Sequence, residues 1–448
     1  MIITNGKLIT WVDDQPILRD RAIRIVCGKI SEISGEEDLK RRFPEDSILD
    51  AKGQYVLPGN ICAHTHFYGV FSRGMAIQGE APKDFTEILE KFWWPLDRSL
   101  DHESVRYSAF VCIADAIRHG TTTVFDHHAS ANCIDNSLFT IYDVVKDSGI
   151  RASLCYEVSD RDGKEKALEG IEENKQFIEF VHNQKPLDGR IHALFGLHAA
   201  FTISDETFDF IRKANTTGAG YHIHVAEHPV DEFYNVNHYG LRVVDRLEEQ
   251  GILGPKTIIA HGVHIDAKEM QLLADSGTWI SHQPRSNMNN GVGMSDIDSM
   301  LRMGCKIAMG NDGFSNAMWQ EWKTTYLAHK LWHMDPRRMN GTVVKNIAIG
   351  GNAALASSQF NQDIGYLREG AVADIIFVDY KPITPIHSGN LPWHILFGFR
   401  DSMVTMTMVA GEVLMKDREL LTIDEEEINY HTQKIVPQLW ERYQAQFK

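Results

Sequence analysis

Between residues 58 and 360, short apolar runs recur eight times, each followed by a longer amphipathic or loop segment. The runs cover residues 61–64, 122–126, 151–156, 191–197, 221–225, 257–260, 278–281 and 306–310. Residues 104–118, 165–182, 205–215, 240–250 and 267–276 lie between them with helical periodicity. Eightfold strand–helix alternation predicts an α/β chain folded as a (β/α)8 barrel of the TIM type. About 160 residues separate His66 from His224, roughly 40 per unit. A typical barrel uses about 30, so this one is expected to carry long loops.

The flanks read differently. Residues 1–57 contain short strand-like runs at 1–3, 7–10, 22–26, 29–33 and 54–57, punctuated by Gly6, Gly28 and Gly53. Strand-like runs return after residue 360, at 374–379, 404–409 and 412–415. Residues 424–448 suggest a charged amphipathic helix with apolar points at Ile428, Ile435, Leu439 and Tyr443, kinked or interrupted at Pro437. The expected organisation is a barrel over 58–360. Segments 1–57 and 361–448 would join as one small β-sandwich beside it.

Charge and cysteine usage exclude several functions. The net charge is −16 and no basic tract occurs, which argues against nucleic-acid or membrane partners. No apolar run is long enough to span a bilayer, and the first residues lack the features of a signal peptide. Cys27, Cys62, Cys112, Cys133, Cys155 and Cys305 are scattered without a C-x-x-C pair. That pattern suggests neither a disulfide framework nor a thiolate zinc site, and a reducing cytoplasm is the expected location.

The chemistry-bearing residues cluster where barrel enzymes keep them, at the C-terminal ends of the strands. His64-Thr65-His66 ends the first run, and side chains two apart on a strand share a face. His198 follows the fourth run, His224 and Glu227 end the fifth, His261 the sixth, His282 the seventh and Asp312 the eighth. His119 precedes the second run and belongs to the opposite rim; His222 shares a face with His224 but lies deeper, as a core histidine would. His127 and His128 follow the second run as candidate supports. Singly, each has an ordinary structural reading: Asn311-Asp312-Gly313 is also a tight-turn signal. Their coincidence at separate strand ends points to a site.

His64, His66, His224 and Asp312 make a nitrogen- and oxygen-rich set for one divalent ion, zinc by default, with iron or manganese as alternatives. Such an ion lowers the pKa of a water molecule it holds towards about 7. Glu227 is placed to pass a proton to a leaving group or ring nitrogen. Asp312 could accept the water's proton, and His261 could hold the attacking oxygen. A dinuclear site bridged by a carbamylated lysine would need a lysine in the fourth run, which has none.

These motifs resemble those of the amidohydrolase superfamily over nearly the whole chain. The resemblance rests on Leu57-Pro58-Gly59 through His66, Gly120-Thr121-Thr122-Thr123 through Asp126, and His222 through Glu227. Ala260-His261-Gly262-Val263-His264, His282 through Asn287 and Gly310-Asn311-Asp312 follow in the expected order. Gly370 through Asp374 and Val409 through Val413 resemble the closing β strands. Within the superfamily the chain is similar to the metal-dependent aminohydrolases that include guanine deaminase, S-adenosylhomocysteine deaminases and triazine hydrolases. Phe67 through Met75 and Trp93-Trp94-Pro95-Leu96-Asp97 narrow the likeness to a purine-catabolic branch.

The resemblance implies metal roles for His64, His66, His224 and Asp312, catalytic roles for Glu227 and His261, and substrate contact by His198. Many relatives have Cys or Asn after the seventh-strand histidine, where this chain has Gln283. Arg285, Asn287, Asn289 and Asn290 could read a polar heterocycle or form an exposed loop. Trp93, Trp94 and Phe71 could wall the pocket or belong to the core.

The expected activity is hydrolytic deamination of an amino-substituted, purine-like nitrogen heterocycle. The alternatives are a cyclic amide hydrolase that opens a lactam, hydantoin or oxidised-purine ring, and a non-catalytic barrel that has kept its ligands. A homodimer or larger homo-oligomer is expected by analogy with relatives.

Overall fold

A computed structural model describes residues 1–448. The eight runs form parallel strands at Asn60–Thr65, Thr121–Asp126, Arg151–Leu154, Ile191–Ala193 with Phe195–Ala199, Tyr221–Val225, Ile258–His261, Trp279–His282 and Lys306–Met309. Nearly all their residues are buried, as strands covered on both faces should be.

The fourth run breaks at Leu194. Its first half pairs with the third strand (Ala152 opposite Ile191), and its second half pairs with the fifth (Phe195 opposite Tyr221). Leu194 N–H donates to Leu154 O and Phe195 N–H to Gly220 O, so the chain crosses between sheets without losing its ladder. The circle closes through a parallel bridge between Thr65 and Asp312, with Asn311 and Asp312 N–H groups both donating to His64 O. Gly310 allows this approach: a Cβ there would lie 2.8 Å from both His64 N and His64 O. First and eighth strands thus bring His64, His66 and Asp312 to one rim.

Helices pack around the strands where capping signals predict their starts. Asp101 and Ser104 form a capping box at His102–Arg118, and Asp266 and Glu269 form another at Ala267–Ser276.

Both flanks contribute to one seven-stranded sheet. In it Tyr55–Pro58 runs parallel to Lys7–Ile9 and antiparallel to Ile375–Val378, followed by Val404–Val409 and Glu412–Lys416. A four-stranded sheet of N-terminal strands faces it across a core that includes Ile3, Leu8, Ile23, Val56, Ile375, Phe377 and Met406. Only Gly59 separates Tyr55–Pro58 from the first barrel strand, so the sheet sets where the His-x-His strand begins.

One expectation is overturned. The last helix, Glu425–Ala445, runs through Pro437 without interruption. Proline removes a single intrahelical donor, and tertiary contacts hold the rest: Ile428, Ile435, Leu439 and Tyr443 are buried. Trp440 Nε1–H donates to Phe71 O, and the Tyr443 hydroxyl to Lys91 O. No helix is long and apolar enough to cross a membrane.

Candidate metal centre and catalytic pocket

The strand ends place four donor atoms around one point. His66 Nε2 lies 3.2 Å from His224 Nε2 and 3.0 Å from Asp312 Oδ1, and His64 Nε2 lies 3.5 Å from the same oxygen. Four ligands around a tetrahedral ion with bonds of about 2.1 Å sit about 3.4 Å apart, so this spacing fits. His64, His224, His261 and Asp312 offer atoms that lie within 4.8 Å of one another, as do His64, His66, His127 and His224.

The second ring nitrogens explain why the lone pairs converge. His66 Nδ1–H donates to His127 O at 2.6 Å and His224 Nδ1–H to His198 O at 2.9 Å. A carbonyl can only accept, so each ring carries its proton on Nδ1 and turns a bare Nε2 inward. His64 Nδ1 lies 2.9 Å from His222 Nε2, and the buried His64 Nε2 has no hydrogen-bond partner. Buried, unpartnered nitrogen lone pairs facing one another are costly unless a cation lies between them. The donor set therefore fits a divalent metal.

Charge shifts follow the same geometry. Burial pulls His64 down to about 4 and His224 well below the usual imidazole value, which keeps both neutral and able to ligate. For His66 burial acts downward too, but Asp312 and Glu157 beside it raise it above the ordinary range. For Asp312 burial acts upward, yet hydrogen bonds with His64 and His66 outweigh it and hold the carboxyl well below the usual range. Burial pushes Glu227 up to about 7. Its Oε2 lies 3.5 Å from His261 Nε2, and His261 Nδ1–H donates to Asn287 Oδ1 at 2.8 Å. Ala226, His261 and Asp312 all adopt positive φ (46°, 75° and 60°), a strained conformation for non-glycine residues that clusters at functional sites.

Above these groups lies a cavity of about 700 Å³, within the range for small-molecule sites. His198 and Trp93 line it, with Trp94, Asn290 and Glu227. A π-helical turn at Leu89–Trp93 puts Leu89, Trp93 and the adjacent Trp94 on one lining face. Arg285, expected against substrate, is turned away. Its guanidinium pairs with the fully buried Glu321 and donates to Ser315 O, because an unpaired buried carboxylate there would be costly. Asn287 is buried behind His261 and orients that ring instead of lining the cavity. Asn289 points away, while Asn290 Nδ2 reaches Glu227 Oε1 at 3.4 Å. Phe71 belongs to the core.

Several supporting roles needed the fold. His222 is a satisfied core histidine as expected, but its partner is His64. His127 stacks on His222 and lends its carbonyl to His66, whereas His128 bonds to Ser130. His282 faces His329. Ser286 Oγ–H donates to Asp312 Oδ2, leaving Oδ1 for the centre. Glu157 is the main omission: almost fully buried, it lies 3.3 Å from His66 Nδ1 and lines the cavity. It directly follows the third run, so the strand-end rule that selected the other residues would have found it.

Comparison with known proteins comes after this geometry. Residues 55–414 match the model of the amidohydrolase family. The chain is 31% identical to a 5′-deoxyadenosine deaminase of Methanosarcina barkeri over 451 residues, covering 99% of each. It is 34% identical to a 5-methylthioadenosine/S-adenosylhomocysteine deaminase of Thermococcus sibiricus over 427 residues, covering 93% of this chain and 94% of the relative. Among solved structures it resembles a zinc-bound adenosine deaminase of Xanthomonas campestris, with a TM-score of 0.85 at 22% identity over 99% of this chain and 98% of that one. A triazine hydrolase from Arthrobacter aurescens gives 0.83 at 21% identity, covering 97% and 99%. At these identities the structural likeness is one of fold.

Proposed function

The chain belongs to the amidohydrolase family, and on that premise we propose that it is a metal-dependent aminohydrolase that removes the amino group of a purine-like heterocycle by hydrolysis. The observation that carries this reading is the convergence of His64, His66, His224 and Asp312 beside Glu227 and His261. The deaminase names borne by the relatives agree with it.

His64, His66 and His224 would hold one divalent ion through Nε2 and Asp312 would hold it through Oδ1, with zinc favoured because the similar adenosine deaminase binds it. When bound, the ion supplies Lewis acidity towards water and the reacting carbon. His261, its Nδ1–H fixed on Asn287, presents Nε2 to the attacking water. As the water oxygen bonds to the amino-bearing carbon, Glu227 takes one proton and delivers it to the ring nitrogen. Asp312, held by Ser286, takes the second proton and passes it to the amino group, whose bond to carbon breaks and which leaves as ammonia. Trp93 and Trp94 hold the flat ring, and His198 contacts it from the floor.

We place the enzyme in the cytoplasm, in purine breakdown, and as a homodimer. Six free cysteines support the first. Exposed apolar side chains at Leu327, Leu331, Met334 and Phe397 support the last. An ammonia-release assay over adenine nucleosides, adenine, guanine, cytosine and pterins is the test. Ammonia from at least one purine, lost in Glu227→Gln, is expected. Ammonia from none of them, or ring opening to a carboxylate without ammonia, overturns the reading.

A further inference from the structure

Five carboxylates line the cavity, at Asp97, Glu157, Glu227, Asp231 and Asp312, against one guanidinium, Arg161. Glu227 and Asp312 belong to the reacting end. Asp231 is occupied: its oxygens accept from Phe201 N–H and Ala226 N–H. Asp97 and Glu157 are not fully used. They are 1% and 4% exposed, and Asp97 Oδ1 and Glu157 Oε1 have no hydrogen-bond partner. Glu157 Oε2 lies 4.0 Å from His198 Nε2, beyond bonding distance.

Arg161 is not available to an anion. It contacts Asp97 Oδ2, donates from Nε to Asp162 Oδ2 at 3.1 Å, and lies against the Trp94 ring. Aromatic faces at Tyr68, Trp93 and Trp94 complete this half of the cavity. Buried acceptors next to aromatic faces suit groups that donate hydrogen bonds or carry positive charge, and oppose negative ones.

We infer that Glu157 and Asp97 form a specificity subsite that accepts amino, guanidino or hydroxyl substituents of the substrate and rejects phosphate and carboxylate substituents. This rests on the aminohydrolase reading of the same cavity. Unphosphorylated nucleosides or bases, not nucleotides, are then the substrate class. Asp97 acts twice, as an acceptor and by neutralising Arg161.

Calorimetric titration of the metal-loaded full chain with adenosine and with adenosine 5′-monophosphate tests this without needing turnover. Adenosine should bind about 100-fold more tightly. Asp97→Asn, which releases Arg161, should narrow that ratio about tenfold, and Glu157→Gln should weaken adenosine about tenfold with metal content unchanged. Equal or tighter binding of the monophosphate, no binding of either ligand, or an unchanged ratio in folded Asp97→Asn overturns the inference. If Asp97→Asn fails to fold, Arg161→Met takes its place and should widen the ratio; an unchanged or narrower one overturns the inference. Purine binding with this charge ordering but no ammonia release would leave the subsite standing and remove the deaminase reading.

Discussion

His66 and His224 turn unprotonated Nε2 atoms towards each other at 3.2 Å, each held there by an Nδ1–H that donates to a backbone carbonyl. Two nitrogen lone pairs at this distance repel unless a positive charge sits between them. Rings from the first and fifth strands are therefore built around a cation. The backbone carbonyls of His127 and His198, on the second and fourth strands, enforce it.

Substituting His224 by Ala should reduce bound metal, measured by elemental analysis, from about one per chain to near zero and abolish activity. His222→Ala removes only the partner of His64 Nδ1. It should keep the metal but weaken its affinity by about 10–100-fold, read by chelator competition.

Glu227→Gln should lower kcat by about 10²–10⁴-fold while leaving metal content and substrate affinity unchanged. The amide keeps the shape and the contact with Asn290 but cannot carry a proton between water and ring nitrogen.

Arg285 and Glu321 form a buried pair outside the cavity. Arg285→Ala leaves the carboxylate unpaired and should destabilise the fold by about 3–5 kcal/mol in denaturant unfolding. At a temperature where the variant is folded, KM should not move. A large KM change would restore Arg285 to the substrate contacts.

His119 and Asp115 pair at the opposite rim, 3.4 Å apart. Burial acts to lower His119, but Asp115 raises it above its ordinary value. Burial acts to raise Asp115, but His119 lowers it below the usual range. The histidine's contribution is present below its unfolded value of about 6.5 and is lost as pH rises through the folded one. The aspartate's contribution is present above about 3.9 and is lost as pH falls through its depressed folded value. Stability lost in His119→Gln should therefore be larger near about pH 5.5 than near about pH 8.5. Equal losses at both would contradict the pairing.

Some of the site was legible because its signals are local. Alternation along a strand puts His64 and His66 on one face whatever the rest of the chain does. A histidine or carboxylate at the end of an apolar run is aimed at the rim by the run itself. Glu157 carried the same signal and was passed over, since one carboxylate after a strand resembles any solvated acid until its neighbours are known. Arg285 and Asn287 share a motif with Ser286, yet they point in three directions on a short helix at Pro284–Asn289. Glu321, His261 and Asp312 meet them from other segments and settle which way each faces.

The sequence by itself determined the eight alternating units, the β character of both flanks and the strand ends that carry imidazoles and carboxylates. Each follows from periodicity and residue type within about ten neighbours. Only the tertiary structure decided which lone pairs are free, that Pro437 sits inside an unbroken helix, that Arg161 is neutralised by Asp97, and that Asp312 closes the ring onto His64. Those outcomes depend on pairings across tens to hundreds of residues, where burial makes each polar atom find a partner or remain free for a ligand.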